Sequence, residues 1–406
     1  MVLAVQQQYD GSVLMQKQYL RPMVILVIIQ FLVMVGFGIV IPILPFLIEE
    51  LGGGAFSLGL FMSAYSIMQF FFAPFWGRLS DRIGRRPVLL IGLSGYGITF
   101  FLYGMAGNLP LLIAFRALSG VVSSATLPTA MAYMADITEG TDRSKSMGML
   151  GAAMGLGMVF GPALGGFLGH YSFTLPFYFA GTLALLVLPF AWKLLPETLK
   201  EPNLESKPKV RLHPRVIRDP LFPLFIFNFV LSFTMAMFES TFTLFAAERV
   251  GFGPQEMGIV FMIIGITGVI VQGMLIGKVV RRFGDAKPAK VGAFLCAVAL
   301  LWLLWAPNAI LLVLGTVVFM IGNSFMVPTG SSLVSKNSHT GQGASLGVFQ
   351  SFGSLGRIAG PLVGGGIYGL SMNTPYVIGA ATLVLCLIFF GTKIQDRKAG
   401  EAGTSA

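Results

Sequence analysis

Long apolar runs alternate with short polar connections along the whole chain. A helix of about 20 residues spans the hydrocarbon core of a bilayer, which is about 30 Å thick. Helices are expected because lipid offers no partner for a backbone N–H or C=O group, and the alternating segments of an outer-membrane barrel are absent. The pattern predicts an all-α membrane protein with twelve transmembrane helices, at residues 22–48, 57–77, 87–106, 109–135, 146–168, 174–195, 221–247, 256–277, 288–306, 308–334, 343–369 and 374–392.

The composition excludes a soluble globular protein. Hydrophobic residues make up 55% of the chain and charged residues only 11%, whereas soluble domains carry about 25% charged residues. Cys296 and Cys386 both fall inside apolar runs, so we expect two small buried side chains rather than a disulfide or a metal pair. The three histidines are scattered, and no cofactor or metal site is expected. The first apolar run is too long for a cleavable signal peptide.

The net charge of +10 is explained by topology. All of the 27 Lys and Arg residues except Arg116, Arg249 and Arg357 fall in the tails, in the connections that follow even-numbered spans, or in the span ends that border those connections. By the positive-inside rule, this distribution predicts a multi-pass protein of the cell membrane with both termini in the cytoplasm. Binding to nucleic acid is therefore excluded as the reason for the basic charge.

The chain divides into two similar halves. Its longest polar stretch, residues 196–220, is predicted to be a flexible cytoplasmic linker between an N-terminal bundle of six helices, residues 1–195, and a C-terminal bundle of six helices, residues 221–406. No connection is long enough for a soluble catalytic domain. Four motifs recur in order at an offset of 199–200 residues: Gly77 and Gly84 as Gly277 and Gly284, Pro128-Thr129 as Pro328-Thr329, Gly161-Pro162-x-x-Gly165-Gly166 as Gly360-Pro361-x-x-Gly364-Gly365, and Pro176 followed by an aromatic as Pro375-Tyr376. Six spans per repeat give the two bundles a parallel relation.

Three motifs resemble those of the major facilitator superfamily, in its twelve-helix drug:proton antiporter branch. They are Gly77-Arg-Leu-Ser-Asp81-Arg-Ile-Gly84-Arg85-Arg86, Arg116-x-x-x-Gly120, and Gly157-x-x-x-Gly161-Pro162-x-x-Gly165-Gly166. The resemblance covers essentially the whole chain. With Phe238-Glu239 in the seventh span, it is closest to the quinolone and multidrug efflux pumps of Gram-positive bacteria. It implies a transporter and not an enzyme, in which two bundles rock about a central cavity. It also implies multidrug efflux, and hence antibiotic resistance, driven by protons.

The first motif is expected to lie in a tight loop between the second and third spans. The resemblance implies that Asp81 and Arg85, with Asp136 at the end of the fourth span, latch the halves on the cytoplasmic side. Gly77 would allow close helix approach and Gly84 a positive φ. A basic loop with incidental charges is the alternative. In the second half, Arg281 and Asp285 stand where Asp81 and Arg85 would, so such a latch would be asymmetric.

The third motif removes side chains from one stripe of the fifth span. The resemblance associates it with the direction of exchange, whereas close helix packing explains the glycines equally well. The residues concerned are Gly157, Gly161, Pro162, Gly165 and Gly166.

Three ionisable residues lie deep within predicted spans, where such side chains usually serve a function. We expect the Glu239 carboxyl to exchange a proton near neutral pH and to attract a cationic substrate, unless it is paired permanently with an arginine. Arg116 would either tune Glu239 and nearby water or pack against backbone carbonyls. For Arg357, a partner of Glu239 and a polar wall of the cavity both remain open.

Uncharged polar residues complete the predicted substrate site. Gln30 and Asn323 are predicted to contact substrate with Glu239 and Arg357, although Gln and Asn also join helices by hydrogen bonds. Some members of the resembled branch carry a second acid where this chain has Asn323, so proton coupling would depend on Glu239. The expected partners are protons, a small-molecule substrate and the bilayer, with the monomer as the functional unit. A transporter for a lipid-linked or sugar metabolite is the alternative, and an integral-membrane enzyme or receptor is disfavoured.

Overall fold

The computed structural model describes residues 2–199, 219–338 and 342–394. Within these ranges the regular structure is helical and no strand occurs. Most of the predicted linker (residues 200–218) and the end of the predicted C-terminal bundle (residues 395–406) lie outside them. Helices of the first half are α1 (Val2–Val40), α2 (Leu44–Glu50), α3 (Ala55–Ile83), α4 (Arg85–Gly104), α5 (Leu109–Ser123), α6 (Thr126–Ile137), α7 (Gly140–Gly169) and α8 (Leu175–Leu194).

The second half repeats this arrangement. Its helices are α9 (Phe222–Val250), α10 (Pro254–Ile270), α11 (Ile276–Phe283), α12 (Ala286–Trp305), α13 (Ala309–Asn337), α14 (Gln342–Tyr368) and α15 (Thr374–Phe390), with a π-turn at Val271–Leu275 between α10 and α11. The segments α5 and α6 together form one stretch, as do α10, the π-turn and α11.

Ten helical stretches in the described ranges are long and apolar enough to cross a membrane. The predicted count of twelve is not confirmed. Helix α15 has 17 residues and is shorter than each of those ten stretches. Helix α14 is long enough, but it carries Arg357 and many Gly and Ser residues, which lower its hydropathy.

The predicted loop at residues 77–86 is wrong for most of its length. Helix α3 continues through Gly77 and Asp81 to Ile83, and only Gly84, at φ 108°, leaves the helix before α4 begins at Arg85. The segment between Gly77 and Gly84 contains no helix breaker, and Arg82 in the last turn favours the C-terminal end of the helix dipole. Gly284, at φ 74°, makes the equivalent turn after α11.

The buried apolar side chains form two main clusters. One is drawn from residues 25–195 and the other from residues 221–394 together with Ile41. The two clusters lie on either side of residues 196–220 in the chain, and the linker and the bundle boundaries stay predictions.

The halves meet where α3 packs against α14 and α7 against α10. A Cβ on Gly59 would overlap the Pro361 carbonyl, and one on Gly166 would lie 2.7 Å from the Gly258 Cα atom. Ser63 Oγ donates a hydrogen bond of 2.8 Å to the Ile358 carbonyl oxygen. These contacts lie toward the end of the molecule that carries the α2–α3 and α9–α10 connections, here called the far end.

The other end is called the basic end, since Arg82, Arg86 and Arg281 lie there around the Gly84 and Gly284 turns. A Cβ built on Gly148, Gly151, Gly273 or Gly277, in the basic-end parts of α7 to α11, would have no atom within 4 Å. The two halves are therefore closed against each other at the far end and separated along α7 and α11 at the basic end.

Candidate functional site

A cavity of about 590 Å³ lies between the halves. Its walls come from α7, α9, α10 and α13 and from the π-turn. Met235, Phe238 and Glu239 of α9 face it together because residues three and four apart share one side of a helix. Glu239 and Gln272 are the polar side chains among its lining residues, and the rest of the lining is apolar or glycine. Such a surface suits a ligand with an apolar body and one polar or charged group.

Glu239 is half-buried in the wall of this cavity. No hydrogen bond or close ion pair involves its carboxylate within the part of the chain that the structure describes, so a permanent arginine partner is not seen. The neighbouring Phe238 packs its ring 4.6 Å from that of Phe242 and 4.5 Å from that of Phe319. This aromatic packing fixes the rotation of α9 and keeps Glu239 facing the cavity.

Arg357 lies on α14 and is exposed. Its guanidinium interacts electrostatically with Glu239 and donates a hydrogen bond of 3.0 Å to Ser354 Oγ. It is not among the residues that line the cavity. The structure thus places a positive charge near the carboxylate without forming a direct ion pair.

Arg116 is buried in an aromatic cage and is only 2% exposed. Its guanidinium carbon lies 4.5 Å from the ring centre of Tyr65, 4.8 Å from that of Phe61 and 5.8 Å from that of Phe37. The next turn carries Gly120, where a Cβ would lie 2.6 Å from the Tyr65 carbonyl oxygen. The glycine of the Arg-x-x-x-Gly motif therefore brings α5 against α3 and sets the arginine under the rings.

The cage was not predicted from the sequence. Phe61 and Tyr65 are four residues apart on α3, which is a recognisable pair on one helix face. Their contact with Arg116, however, depends on the packing of two separate helices.

Gln30 and Asn323 are not among the cavity-lining residues. Gln30 is fully buried in α1, and neither of its amide atoms has a hydrogen-bond partner among the described residues. Asn323 is 6% exposed on α13. Neither of them lines the cavity that Glu239 faces, whereas Gln272 does.

Arg85, Asp81 and Asp136 form an ion-pair cluster at the basic end of the first half. Arg85 Nη1 lies 2.5 Å from Asp81 Oδ1, and Arg85 Nε lies 3.2 Å from Asp136 Oδ2. Two further residues that the sequence did not suggest join the cluster. The Glu197 carboxylate accepts hydrogen bonds from the backbone N–H groups of Arg85 and Arg86, and Thr198 donates one of 3.1 Å to Asp136.

The second half carries an equivalent pair with the charges exchanged. Lys336 lies 2.5 Å from Asp285, which also accepts a hydrogen bond of 3.0 Å from Ser332. Asp285 and Lys336 stand 200 residues after Arg85 and Asp136. The sequence already showed an acid, Asp285, in the place of Arg85. The structure shows that its partner Lys336 is a base in the place of Asp136.

The glycines of α7 face two different neighbours. A Cβ on Gly157, Gly161 or Gly165 would overlap the α1 backbone at residues 31, 35 and 39. Gly166 instead faces Gly258 of α10 in the other half. The first three residues join helices within one half, and the fourth lies at the contact between halves. Pro162 lines the cavity.

The arrangement supplies one acidic group in an otherwise apolar cavity. A carboxylate there can accept a proton or hold an organic cation, but one negative charge cannot serve both at once. Within the described residues, no group of three or more His, Cys, Asp or Glu side chains could hold a metal ion.

The family model described as "Major Facilitator Superfamily" matches residues 26–361 and 275–405. Multidrug resistance protein 1 of Bacillus subtilis (strain 168) is 30% identical to the chain over 356 residues, which cover 87% of this chain and 92% of the relative. Quinolone resistance protein NorA of Staphylococcus aureus (strain COL) is 28% identical over 367 residues, covering 88% and 94%.

Solved structures show the same fold. The crystal structure of the nucleoside transporter NupG superposes with a TM-score of 0.78 at 17% identity, covering 92% of this chain and 99% of that chain.

Proposed function

The chain belongs to the major facilitator superfamily of transporters, and from this premise we propose that it is a proton-coupled exporter of hydrophobic, often cationic, small molecules. In this proposal twelve spans form two parallel-related bundles, residues 1–195 and 221–406, joined by the linker 196–220. Both termini and the basic end lie in the cytoplasm, as the positive-inside distribution favours. The structure would then correspond to the inward-open state of a monomer.

The observation that carries the proposal is the position of Glu239. It is an acidic side chain in the lining of a largely apolar cavity between the halves. A cation that enters from the cytoplasm would find one negative charge surrounded by Met235, Phe238 and Phe261. Multidrug and quinolone resistance proteins are the relatives at 28–30% identity, which supports the same substrate class.

Transport would follow from competition at this carboxylate. In the inward-open state the ionised Glu239 binds a cationic drug, and the halves then rock to open the far end. A proton from outside displaces the drug, and the neutral site returns to the cytoplasm and loses the proton there. Each cycle thus carries a drug cation out and a proton in.

The remaining candidate residues have supporting parts in this scheme. The exposed Arg357 would keep Glu239 ionised until a proton arrives in the outward state, and the caged Arg116 would hold a fixed positive charge in the first half. The Asp81–Arg85–Asp136 cluster would brace the basic end during rocking, and Gly166 would let the far end close. Gln30 and Asn323 would contact a substrate only after a rearrangement, since neither lines the cavity as it stands.

Reconstituted transport tests the proposal. Purified protein in proteoliposomes is given tetraphenylphosphonium, a dye cation or a neutral sugar under an imposed pH gradient. We expect uphill movement of both cations, driven by the gradient and abolished by a proton ionophore, and no movement of the sugar. Transport of the sugar alone would support a metabolite carrier of the same fold, and transport of the cations independent of the pH gradient would remove proton coupling.

A further inference from the structure

Arg357 points into the space between the two halves. On its helix α14, a Cβ on Gly356 or Gly360 would overlap backbone atoms of α9, and one on Gly365 would overlap the backbone of α3. At about 100° per residue, position 357 lies between these two packed faces, and the exposed apolar Leu355 lies on the opposite side of the helix. The exposed guanidinium is therefore turned toward the groove between α3 and α9 and not toward lipid.

The groove around Arg357 is polar. Gln350 and Ser354 precede Arg357 on the same side of α14, since residues three, four and seven apart share one helix face. Gln350 is exposed, and Ser354 Oγ accepts a hydrogen bond of 3.0 Å from the Arg357 guanidinium. Across the groove, the half-buried Tyr65 of α3 interacts electrostatically with Arg357. An amide and a phenol can both donate hydrogen bonds to an anion held beside the guanidinium.

The charge of Arg357 is balanced only at a distance. Its guanidinium makes no close ion pair within the described ranges, and the titratable groups that interact with it are Glu239 of α9 and Tyr65 of α3. Helix α14 packs against α3, α9, α13 and α15. Apart from Glu239, the charged residues of the first three lie toward their ends, and α15 has none. A proton on Glu239 therefore leaves Arg357 as an unbalanced cation.

The apolar cavity lies beside this groove. Glu239 joins the two, because it lines the cavity and also interacts electrostatically with Arg357. Met235 and Phe238 of α9 supply part of the apolar lining. A guanidinium binds a carboxylate or sulfonate through paired hydrogen bonds. An anion with an apolar body could thus place its charge at Arg357 and its body in the cavity, whereas a small inorganic ion would leave the cavity unfilled.

Building on the proposed function, we propose that Arg357 is an anion-binding subsite that takes the carboxylate or sulfonate of an amphipathic organic anion when Glu239 carries a proton. The central space then holds an organic cation at the ionised Glu239, or an organic anion at Arg357 in the proton-loaded state. The class of ligand thereby extends beyond the cations of the proposed function.

Binding of naphthalene-2-sulfonate tests the subsite, because this probe keeps its negative charge at every pH used. Isothermal titration is carried out on purified protein in detergent at mildly acidic and at mildly alkaline pH. We expect wild-type binding to weaken at least about tenfold at alkaline pH, where the Glu239 carboxylate repels the probe. Glu239→Gln, which has no negative charge at either pH, should bind equally at both. Arg357→Gln should bind at least about tenfold more weakly at acidic pH, and Arg357→Lys should recover part of the affinity.

Two controls isolate the charge at this position. Arg281→Gln removes a positive charge from an exposed position at the basic end and should bind the sulfonate as the wild type does. Naphthalene-2-sulfonamide has the same ring system without the charge, and its binding should not depend on Arg357. Tetraphenylphosphonium, measured at alkaline pH, should bind Arg357→Gln at least as tightly as the wild type, because a repelling cation has been removed. That result also shows that the variant is folded.

The outcomes separate the subsite from the proposed function. Sulfonate binding unchanged in Arg357→Gln, or an equal loss for the sulfonate and the sulfonamide, would overturn the subsite. Displacement of the sulfonate by an equal concentration of chloride would assign Arg357 to inorganic anions and overturn the amphipathic class. If the wild type binds tetraphenylphosphonium in either case, only this inference falls. Failure of the wild type to bind tetraphenylphosphonium would instead overturn the proposed function.

Discussion

Single residues show how charge is held inside this protein. Arg116 is buried without a close carboxylate among the described residues and is held by three aromatic rings. A guanidinium is planar and weakly hydrated, so it can stack on rings where an ammonium cannot. Glu239 is the opposite case, an acid that faces the cavity and has no hydrogen bond or close ion pair within the described ranges, so its carboxylate can bind a proton or a cation.

Replacing Arg116 with Lys should destabilise the protein although the charge is kept. An ammonium can interact with one ring but has no planar face to lie against Tyr65 and Phe61 together, so we expect the loss of part of the cation–π stabilisation, about 0.5–1 kcal/mol. Thermal unfolding in detergent measures the effect. Tyr65→Phe keeps the ring face and removes only the hydroxyl that accepts a hydrogen bond from Ser123. It should therefore unfold close to the wild type. An unfolding temperature for Arg116→Lys equal to that of Tyr65→Phe would mean that the cage contributes no stability.

At the scale of elements, the two halves use one geometry with opposite charges. Arg85 on α4 pairs with Asp136 on α6, and Asp285 at the start of α12 pairs with Lys336 on α13. In each half the pair ties the helix after the glycine turn to the end of the helix that follows. Asp285 is 1% exposed, so loss of the Lys336 ammonium removes a positive charge from beside a buried carboxylate.

Lys336→Asp should destabilise the second half, because two carboxylates then face each other. Adding Asp285→Arg restores opposite charges in the same order as in the first half, and we expect it to recover most of the lost stability. A double-mutant cycle of unfolding free energies measures the coupling between the two positions. Additive effects of the two substitutions would contradict a direct pair.

The helical architecture could be predicted because its cause is local. Lipid forces every apolar run to form a helix, and the resulting pattern is visible in the order of residues. The repeat also predicted equivalent connections at Gly84 and Gly284, and the structure has a turn with positive φ at each. The loop prediction at residues 77–86 is wrong because neither Gly77 nor the charged residues after it end the helix, which continues to Ile83.

The candidate site was only partly predictable. Glu239 could be identified because an acid in an apolar run is costly, and the structure does place it in the cavity. Gln30 is also a polar residue in an apolar run, but it lies buried in α1. The sequence does not show which face of a helix meets the cavity, because that depends on the packing between helices. The contacts of Glu197 with α4 join residues more than a hundred positions apart and left no local pattern.

For the whole molecule, the shape follows from where the two halves touch. Gly59 and Gly166 allow backbone contact across the far end, while Gly148 and Gly277 face open space at the basic end. Rocking of the two halves about the cavity would open the far end and close the basic end. The small residues at the far end are therefore part of the conformational equilibrium as well as of the packing.

Gly166→Trp should hold the far end apart and shift the molecule away from the state seen here. Labelling of Gly273→Cys with a water-soluble maleimide reports the basic end, because the native Cys296 and Cys386 are buried. We expect slower labelling in the presence of Gly166→Trp and no change with Gly369→Trp, an exposed position where a Cβ would have no atom within 4 Å. Equal labelling rates in all three backgrounds would mean that Gly166 does not control closure.

Drug-driven proton movement tests the exchange at Glu239 most directly. Proteoliposomes containing a pH-sensitive dye are given a gradient of tetraphenylphosphonium, and the internal pH is followed for the wild type, for Glu239→Gln and for Glu248→Gln. Glu248 lies on the same helix and bonds to Tyr368 away from the cavity lining, which makes it the matched control. We expect proton movement in the wild type and the control and none in Glu239→Gln, although that variant still inserts and folds. Coupled proton movement at the wild-type rate in Glu239→Gln would contradict the proposed exchange.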